Sequence, residues 1–107
     1  MKHAHHSIFV AAIHSKNKLQ VTFYSKKDQM QVTRVSAPMD FGPIAKETLK
    51  IDRYHFWDFT SPSAPHTECL EASQIQSISL LDETFDPKYF VSWTPNWQVQ
   101  RNWGQFS

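Results

Sequence analysis

The stretch that decides the fold is LQVTFYSKKDQMQVTRV, residues 19–35. Apolar and polar side chains alternate before and after a polar turn at residues 25–28. Alternation with a period of two is typical of a half-buried β-strand. We therefore predict a β-hairpin whose second arm ends at Ala37-Pro38, because proline cannot donate a hydrogen bond to a neighbouring strand.

Working outward from the hairpin, the pattern predicts further short elements on both sides. A helix is expected before it, over residues 8–15, and a loop after it, at 39–43. Extended segments are then expected at 48–51 and 53–60, either as two strands or as one long bent strand through Asp52-Arg53, and at 66–70 and 75–81. A second helix is expected over 86–91, which begins with Asp-Pro.

These elements predict a mainly β fold. Five or six antiparallel strands, with a short helix before and another after, favour a small open barrel of the SH3 or Sm type. The alternative is an α+β open sheet with the helices on one face. The length predicts one domain over residues 1–107, with 1–7 as a loose N-terminus and 92–107 as an aromatic C-terminal tail.

Composition excludes several kinds of site. The two glycines, Gly42 and Gly104, are too far apart for a glycine-rich phosphate-binding loop. Cys69 is the sole cysteine, which excludes a disulfide framework and a thiolate zinc site. The formal net charge is +1, so no overall field would attract nucleic acid or an acidic membrane. No apolar run approaches the roughly 20 residues that span a bilayer, and we expect a cytoplasmic protein.

Several short motifs carry a family resemblance. They are the predicted helix and strand over residues 13–24, Arg34-x-x-x-Pro38, the run Tyr54-His55-Phe56, and Gln74-Ile75 leading to residues 80–85. With these motifs the chain from about residue 8 to 90 resembles the WYL domain, a bacterial SH3-like barrel usually found behind a helix-turn-helix DNA-binding domain.

The WYL resemblance implies a regulatory domain that binds nucleotides or single-stranded nucleic acid. Tyr54, His55 and Phe56 stand where the family has Trp-Tyr-Leu, and Arg34 is the clear counterpart of the family's arginine set. From the residues themselves, the candidate ligand-binding set is Arg34, Arg53, His55 and Trp57, because guanidinium groups bind phosphate and aromatic rings stack on bases. Ordinary barrel packing is the alternative for the same residues.

Metal binding and catalysis find little support. Met1-Lys2-His3 could chelate Cu(II) or Ni(II), and His5 and His6 follow, but a flexible terminus holds ligands poorly, so no cofactor or metal is predicted.

His66 and Cys69 are three residues apart on a strand and point to opposite faces. Acidic residues at 82, 83 and 86 are explained by helix capping. We predict that the chain is not an enzyme.

The tail is the second candidate functional region. Trp93, Trp97 and Trp103 lie within residues 92–107. They either dock on the domain or form an interface with a second copy or another protein, since tryptophan often anchors interfaces. The sequence thus predicts a non-catalytic domain that binds a nucleotide or single-stranded nucleic acid, with a protein-interaction or homo-oligomerisation module as the alternative.

Overall fold

The structure is a computed structural model that describes residues 2–107. Over these residues it confirms a mainly β fold, with one helix and one antiparallel open sheet of five strands. The elements are helix α1 (His6–Ser15) and strands β1 (Asn17–Ser25), β2 (Met30–Gly42), β3 (Arg53–Asp58), β4 (His66–Leu70) and β5 (Ile75–Thr84). The strands lie in the order β4-β3-β2-β1-β5.

The predicted hairpin is confirmed as β1 and β2. Val21 lies opposite Arg34, and Ser25 lies opposite Met30 at the turn. The turn is held by the Ser25 hydroxyl, which accepts a hydrogen bond from the Asp28 backbone N–H at 3.2 Å. Gln29 then adopts a left-handed conformation, with φ of 54°, that lets the chain reverse.

Strand β2 is longer than predicted, and the loop expected at residues 39–43 is largely strand. Its first half pairs with β1 as far as Ser36, and its second half pairs with β3 from Ser36 to Gly42. Pro38 lies at the changeover, beside a shift in register between Pro38 and Asp40. Proline is accommodated because pairing with β1 has ended and pairing with β3 is irregular at that point.

The second predicted helix, residues 86–91, is not confirmed as an α-helix: this segment forms a 3₁₀ turn over Pro87–Tyr89. Asp86 does cap the turn, accepting from the Lys88 N–H at 3.1 Å. The turn stops because Phe90 and Val91 are both buried and enter the core. The extended segment expected at residues 48–51 is also not a strand, whereas β5 runs three residues further than predicted, to Thr84.

The core lies between α1 and the inner face of the sheet. Phe9 of the helix packs edge-on against Tyr54 and Phe56 of β3, at ring-centroid distances of 4.9 and 5.2 Å. The buried Tyr54 hydroxyl accepts from the His3 backbone N–H and contacts His6 Nδ1, both at 2.8 Å. The segment expected to be loose therefore rests on the core through two histidines.

No helix within residues 2–107 has the length and apolar character needed to cross a membrane.

Candidate functional site

A polar cavity of about 360 Å³ lies between the tip of the β1–β2 hairpin, the loop at residues 61–63 and strand β4. We call it the polar cavity. Four cationic side chains line it, from Lys26, Lys27, Arg34 and Arg53. Three carboxylates also line it, from Asp28, Asp58 and Glu68. The structure thus brings two of the four predicted ligand-binding residues, Arg34 and Arg53, to one cavity.

Arg34 is held in place by a buried carboxylate. It lies opposite the core residue Val21, so its side chain is on the inner side of the sheet and only 14% exposed. Its Nε is 3.3 Å from Oδ2 of Asp58, whose side chain is 1% exposed. The other oxygen of Asp58 accepts from the Thr60 N–H at 2.9 Å. The two terminal nitrogens of Arg34 have longer contacts: Nη1 donates to the Thr33 carbonyl at 3.4 Å, and Nη2 is 3.9 Å from Oδ2 of Asp28.

His66 is the titratable group of the polar cavity. It lies opposite Asp58, and its Nε2 is 3.1 Å from Oε2 of Glu68. The hydrogen bond to the Ala64 carbonyl raises the pKa of His66, and Glu68 adds to the rise, whereas burial opposes it. Protonation of His66 would add a fifth positive charge to the lining.

Arg53 and His55 are both engaged by neighbours within the domain. Arg53 Nε is 3.3 Å from Oε1 of Glu47. The Nε2 atom of His55 is 2.8 Å from the Gly42 carbonyl, and its Nδ1 is 3.4 Å from the Cys69 Sγ. His55 is not part of the cavity lining. Of these two predicted residues, Arg53 alone faces the space where a ligand would lie.

The thiol of Cys69 is adjacent to His55, a pairing that the sequence pattern did not predict. The two residues lie opposite each other on β3 and β4, which places their side chains on one face. Burial raises the pKa of Cys69 to about 11, and the charge of Glu68 contributes to the rise. The thiol is therefore protonated at neutral pH, and the contact gives no activated nucleophile.

Trp57 belongs to a different part of the surface. Its ring stacks on Phe90 with a centroid distance of 5.7 Å and an interplanar angle of 12°. It lines a second, mainly aromatic cavity of about 440 Å³, which we call the aromatic cavity, and it is not part of the polar cavity. The predicted combination of arginine and tryptophan around one ligand is thus divided between two cavities.

The tail docks on the domain. Trp103 is buried, and its Nε1 donates to the carbonyl of Ile13, one of the last four carbonyls of α1, at 2.8 Å. Trp97 Nε1 donates to the Phe106 carbonyl at 2.8 Å. Of the three predicted interface tryptophans, Trp93 is the most accessible, at 45% exposed.

A buried ion pair fixes the tail, and no sequence pattern predicted it. The Arg101 guanidinium lies between Trp97 and Trp103, 4.2 and 4.4 Å from their ring centroids. Its Nη2 is 3.4 Å from Oδ1 of Asp40, which also accepts from the backbone N–H of Val99 at 2.9 Å. Asp40 and Arg101 are 61 residues apart in the chain, so no local pattern links them.

The histidines near the N-terminus have partners within the fold. His3 Nε2 is 2.9 Å from the Ile75 carbonyl, and His5 Nδ1 accepts from the Ile78 N–H at 3.4 Å. The Met1-Lys2-His3 chelate needs Met1, which lies outside the described residues. Within residues 2–107 no three His, Cys, Asp or Glu side chains group closely enough to hold a metal ion.

Comparison with family models, curated proteins and solved structures found no match for this chain.

Proposed function

We propose that this protein is a non-catalytic, regulatory binding domain that holds a small phosphorylated ligand, such as a nucleotide, in the polar cavity. The observation that carries the proposal is the convergence of four cationic side chains on one cavity of about 360 Å³. Cavities of roughly 300–1,000 Å³ are typical of small-molecule sites. Lysine and arginine are the side chains that most often bind phosphate oxygens.

The lining favours a mononucleotide over a single strand. Binding of single strands relies on aromatic side chains that stack successive bases. Among the described residues, Phe23 is the one aromatic ring other than His66 in this lining, and Trp57 faces the other cavity. Hydroxyl groups suited to a ribose come instead from Ser25, Ser61, Ser63 and Thr67.

Arg34 and Lys27 differ in how much conformational freedom each would lose on binding a phosphate. Arg34 is fixed through Asp58 and loses little freedom on binding. Lys27 is exposed and makes no ion pair within the described residues, so it can close over a bound ligand. The three carboxylates of the cavity oppose an anion, so affinity should depend on where the phosphate lies and on salt.

The proposed function includes no catalytic step in the cavity. The cavity lining includes one thiol, that of Cys69, whose pKa is raised to about 11 by burial. Its neighbour His55 is also engaged by the Gly42 carbonyl. A nucleophilic mechanism needs a thiolate or an adjacent free base, and this contact supplies neither.

We further propose that the sheet is of the SH3/Sm-like type and that the WYL resemblance reflects common architecture. Three features support this: a helix precedes the sheet, β2 changes partner at Ser36, and only residues 71–74 connect the two edge strands β4 and β5. A regulatory role would follow from that resemblance.

Titration with AMP, inorganic phosphate and adenosine, followed by amide NMR shifts and calorimetry, tests the proposal. We expect AMP to bind in the micromolar to millimolar range, to shift residues of the polar cavity, and to weaken as salt rises from about 50 to 300 mM. Adenosine should bind much more weakly than AMP. Equal binding of adenosine and AMP, or no saturable binding of either phosphate, would contradict it.

A pair of lysine variants separates a specific effect from general charge. Lys27→Gln should weaken AMP binding about threefold to tenfold, because it removes a cation from the lining. Lys46→Gln removes an exposed lysine that is not in the lining and should leave the affinity unchanged. Equal losses in both variants would indicate attraction to the whole surface rather than a site.

The second candidate function is self-association or protein binding through the tail. The observation that favours it is that Trp93 and Tyr89 are exposed by 45% and 75%. Sedimentation at increasing protein concentration should then show a larger species that Trp93→Ser abolishes. A monomer at every concentration up to about 1 mM would eliminate self-association at any affinity of interest.

A further inference from the structure

The aromatic cavity has walls from four separate segments of the chain, one of which is β1 through Lys18. Trp57 and Phe59 come from β3 and the residue after it, Pro65 from the following loop, and Phe85 and Tyr89 from the segment after β5. Its volume of about 440 Å³ is in the range of small-molecule sites. The lining of this cavity shares no residue with that of the polar cavity, so a ligand bound here would be independent of the proposed phosphate ligand.

The rings of this cavity differ in what already covers them. Lys18 Nζ lies 4.6 Å from the centroid of Phe59, and Lys88 Nζ lies 5.4 Å from that of Tyr89. Trp57 stacks on Phe90 through one face. Phe90 is not part of the cavity lining, so we infer that Trp57 faces the cavity with the side of its ring away from Phe90, which we call its free face.

The charge available to a ligand is positive. Lys18 lines the cavity and its side chain is 18% exposed, whereas its partner Glu83, at 2.9 Å, is 66% exposed. Exposed ion pairs contribute little, so a ligand carboxylate could replace Glu83 at small cost. Asp86 also lines the cavity, but its carboxylate already accepts from the Lys88 N–H and lies 3.7 Å from Lys88 Nζ.

We propose that the aromatic cavity binds a planar aromatic carboxylate, with its ring on the free face of Trp57 and its carboxylate at Lys18 Nζ. Two ammonium groups on neighbouring rings, those of Lys18 and Lys88, oppose a cationic ligand. A neutral aromatic compound would gain the ring contact but not the charged hydrogen bond.

Three probes of similar shape and different charge test the proposal: naphthalene-2-carboxylate, naphthalene-2-carboxamide and 2-naphthylmethylammonium. The readout is the indole N–H resonance of Trp57, assigned with Trp57→Phe, together with the amide shifts of the segment after β5. The carboxylate should bind about tenfold more tightly than the carboxamide, and the ammonium compound most weakly.

Charge variants then test whether the ligand carboxylate binds at Lys18. Lys18→Gln should reduce affinity for the carboxylate to that for the carboxamide while leaving carboxamide binding unchanged. Glu83→Gln frees Lys18 and should strengthen carboxylate binding severalfold. Asp82→Asn is the matched control: it also removes one exposed negative charge, but within residues 2–107 Lys18 pairs with Glu83 and not with Asp82, so its effect should be small. Thermal melts of each variant confirm that the fold is retained.

Several results would overturn the proposal. Equal affinity for the three probes would mean that charge plays no part, and tightest binding of the ammonium compound would indicate a cation-binding aromatic cage. Absence of saturable binding at millimolar probe, or shifts confined to residues away from Trp57, would remove the site altogether. An equal effect of Glu83→Gln and Asp82→Asn would reject the role given to Lys18.

Discussion

Two arginine–aspartate pairs use the same chemistry in opposite ways. Arg34 and Asp58 lie at the edge of an open cavity, where the arginine side chain is 14% exposed. Arg101 and Asp40 are enclosed, with the arginine side chain fully buried between two indole rings. The first pair faces a cavity that a ligand can enter, and the second is enclosed within the fold.

The difference lies in how many neighbours each arginine has. Arg101 donates to the carbonyls of Met39 and Val99 as well as pairing with Asp40, so its nitrogens are occupied within the fold. Burial lowers the pKa of Arg101 to about 10, and Asp40 partly offsets this, so the group remains charged at neutral pH. Beyond Asp58, Arg34 has only the longer contacts to the Thr33 carbonyl at 3.4 Å and to Asp28 at 3.9 Å, so a ligand phosphate can compete for its guanidinium.

The largest expected effect is on the enclosed pair. Arg101→Met should destabilise the domain by roughly 3–5 kcal/mol, because it leaves the mostly buried Asp40 carboxylate without its cation. Urea denaturation followed by tryptophan fluorescence measures the loss, and limited proteolysis should show release of the tail. A loss below about 1 kcal/mol would mean that the pair behaves like an exposed one.

A double variant separates the charge from the packing of Arg101 against the indoles. Arg101→Met with Asp40→Asn removes both charges while leaving an amide that can still accept from the Val99 N–H. Its stability should exceed that of Arg101→Met alone. If the double variant is the less stable of the two, the cost arises from lost stacking rather than from the unpaired carboxylate.

A smaller effect is expected at the open pair. Arg34→Met should cost about 1–3 kcal/mol, because Asp58 lines the open polar cavity, where water can replace the lost cation, and it retains the hydrogen bond from the Thr60 N–H. The same variant should abolish AMP binding while leaving the tail protected from protease. A greater loss of stability for Arg34→Met than for Arg101→Met would reverse the comparison.

The smallest effect concerns pH. The pKa of His66 is raised by the Ala64 carbonyl and by Glu68, so its stabilising contribution is fully present below pH 6.5 and is lost as the pH rises through the raised pKa. His66→Gln should therefore lower stability at pH 6 by about 0.2–1 kcal/mol, the range of exposed pairs, and have no such effect at pH 8.5. Urea denaturation at both values measures this.

The pKa of a second histidine, His6, is shifted in the opposite direction, so the comparison must leave His6 unchanged. The pKa of His6 is lowered, mainly by burial and also by Lys2, so its contribution is present above pH 6.5 and is lost as the pH falls through the lowered pKa. Comparing His66→Gln with the parent protein leaves His6 unchanged on both sides. A larger loss at pH 8.5 than at pH 6 would contradict the role given to His66.

Local sequence patterns predicted the elements whose contacts are formed by residues close together in the sequence. The β1–β2 hairpin follows from alternation and a polar turn, both of which lie within residues 19–35. The end of β2 was missed because Pro38 is accommodated by a change of strand partner, which involves β3 and is not a local property. The helix predicted after β5 is longer than the observed 3₁₀ turn, because burial of Phe90 outweighed the favourable start at Asp86-Pro87.

The candidate site was predictable only in part. Arg34 shares its strand face with Val32, and a lone arginine on a partly apolar face is a usable sign of an inward-facing charge. Its partner Asp58 lies on another strand, and Asp40 and Arg101 are further apart still in the chain. Without the sheet register, alternation could not show that Trp57 and Arg34 belong to different cavities.

The hydrogen bond between Trp103 and the end of α1 has a consequence for biosynthesis. It joins positions 90 residues apart, so α1 gains this contact only after residue 103 has been synthesised and has left the ribosome. Until then the rings that contact Trp103, those of Phe85, Phe90 and Trp97, lack that partner. Contacts between residues far apart in the sequence slow folding and leave apolar surface exposed in intermediates. We therefore expect this chain to depend on chaperones more than a domain whose core forms from residues close in sequence.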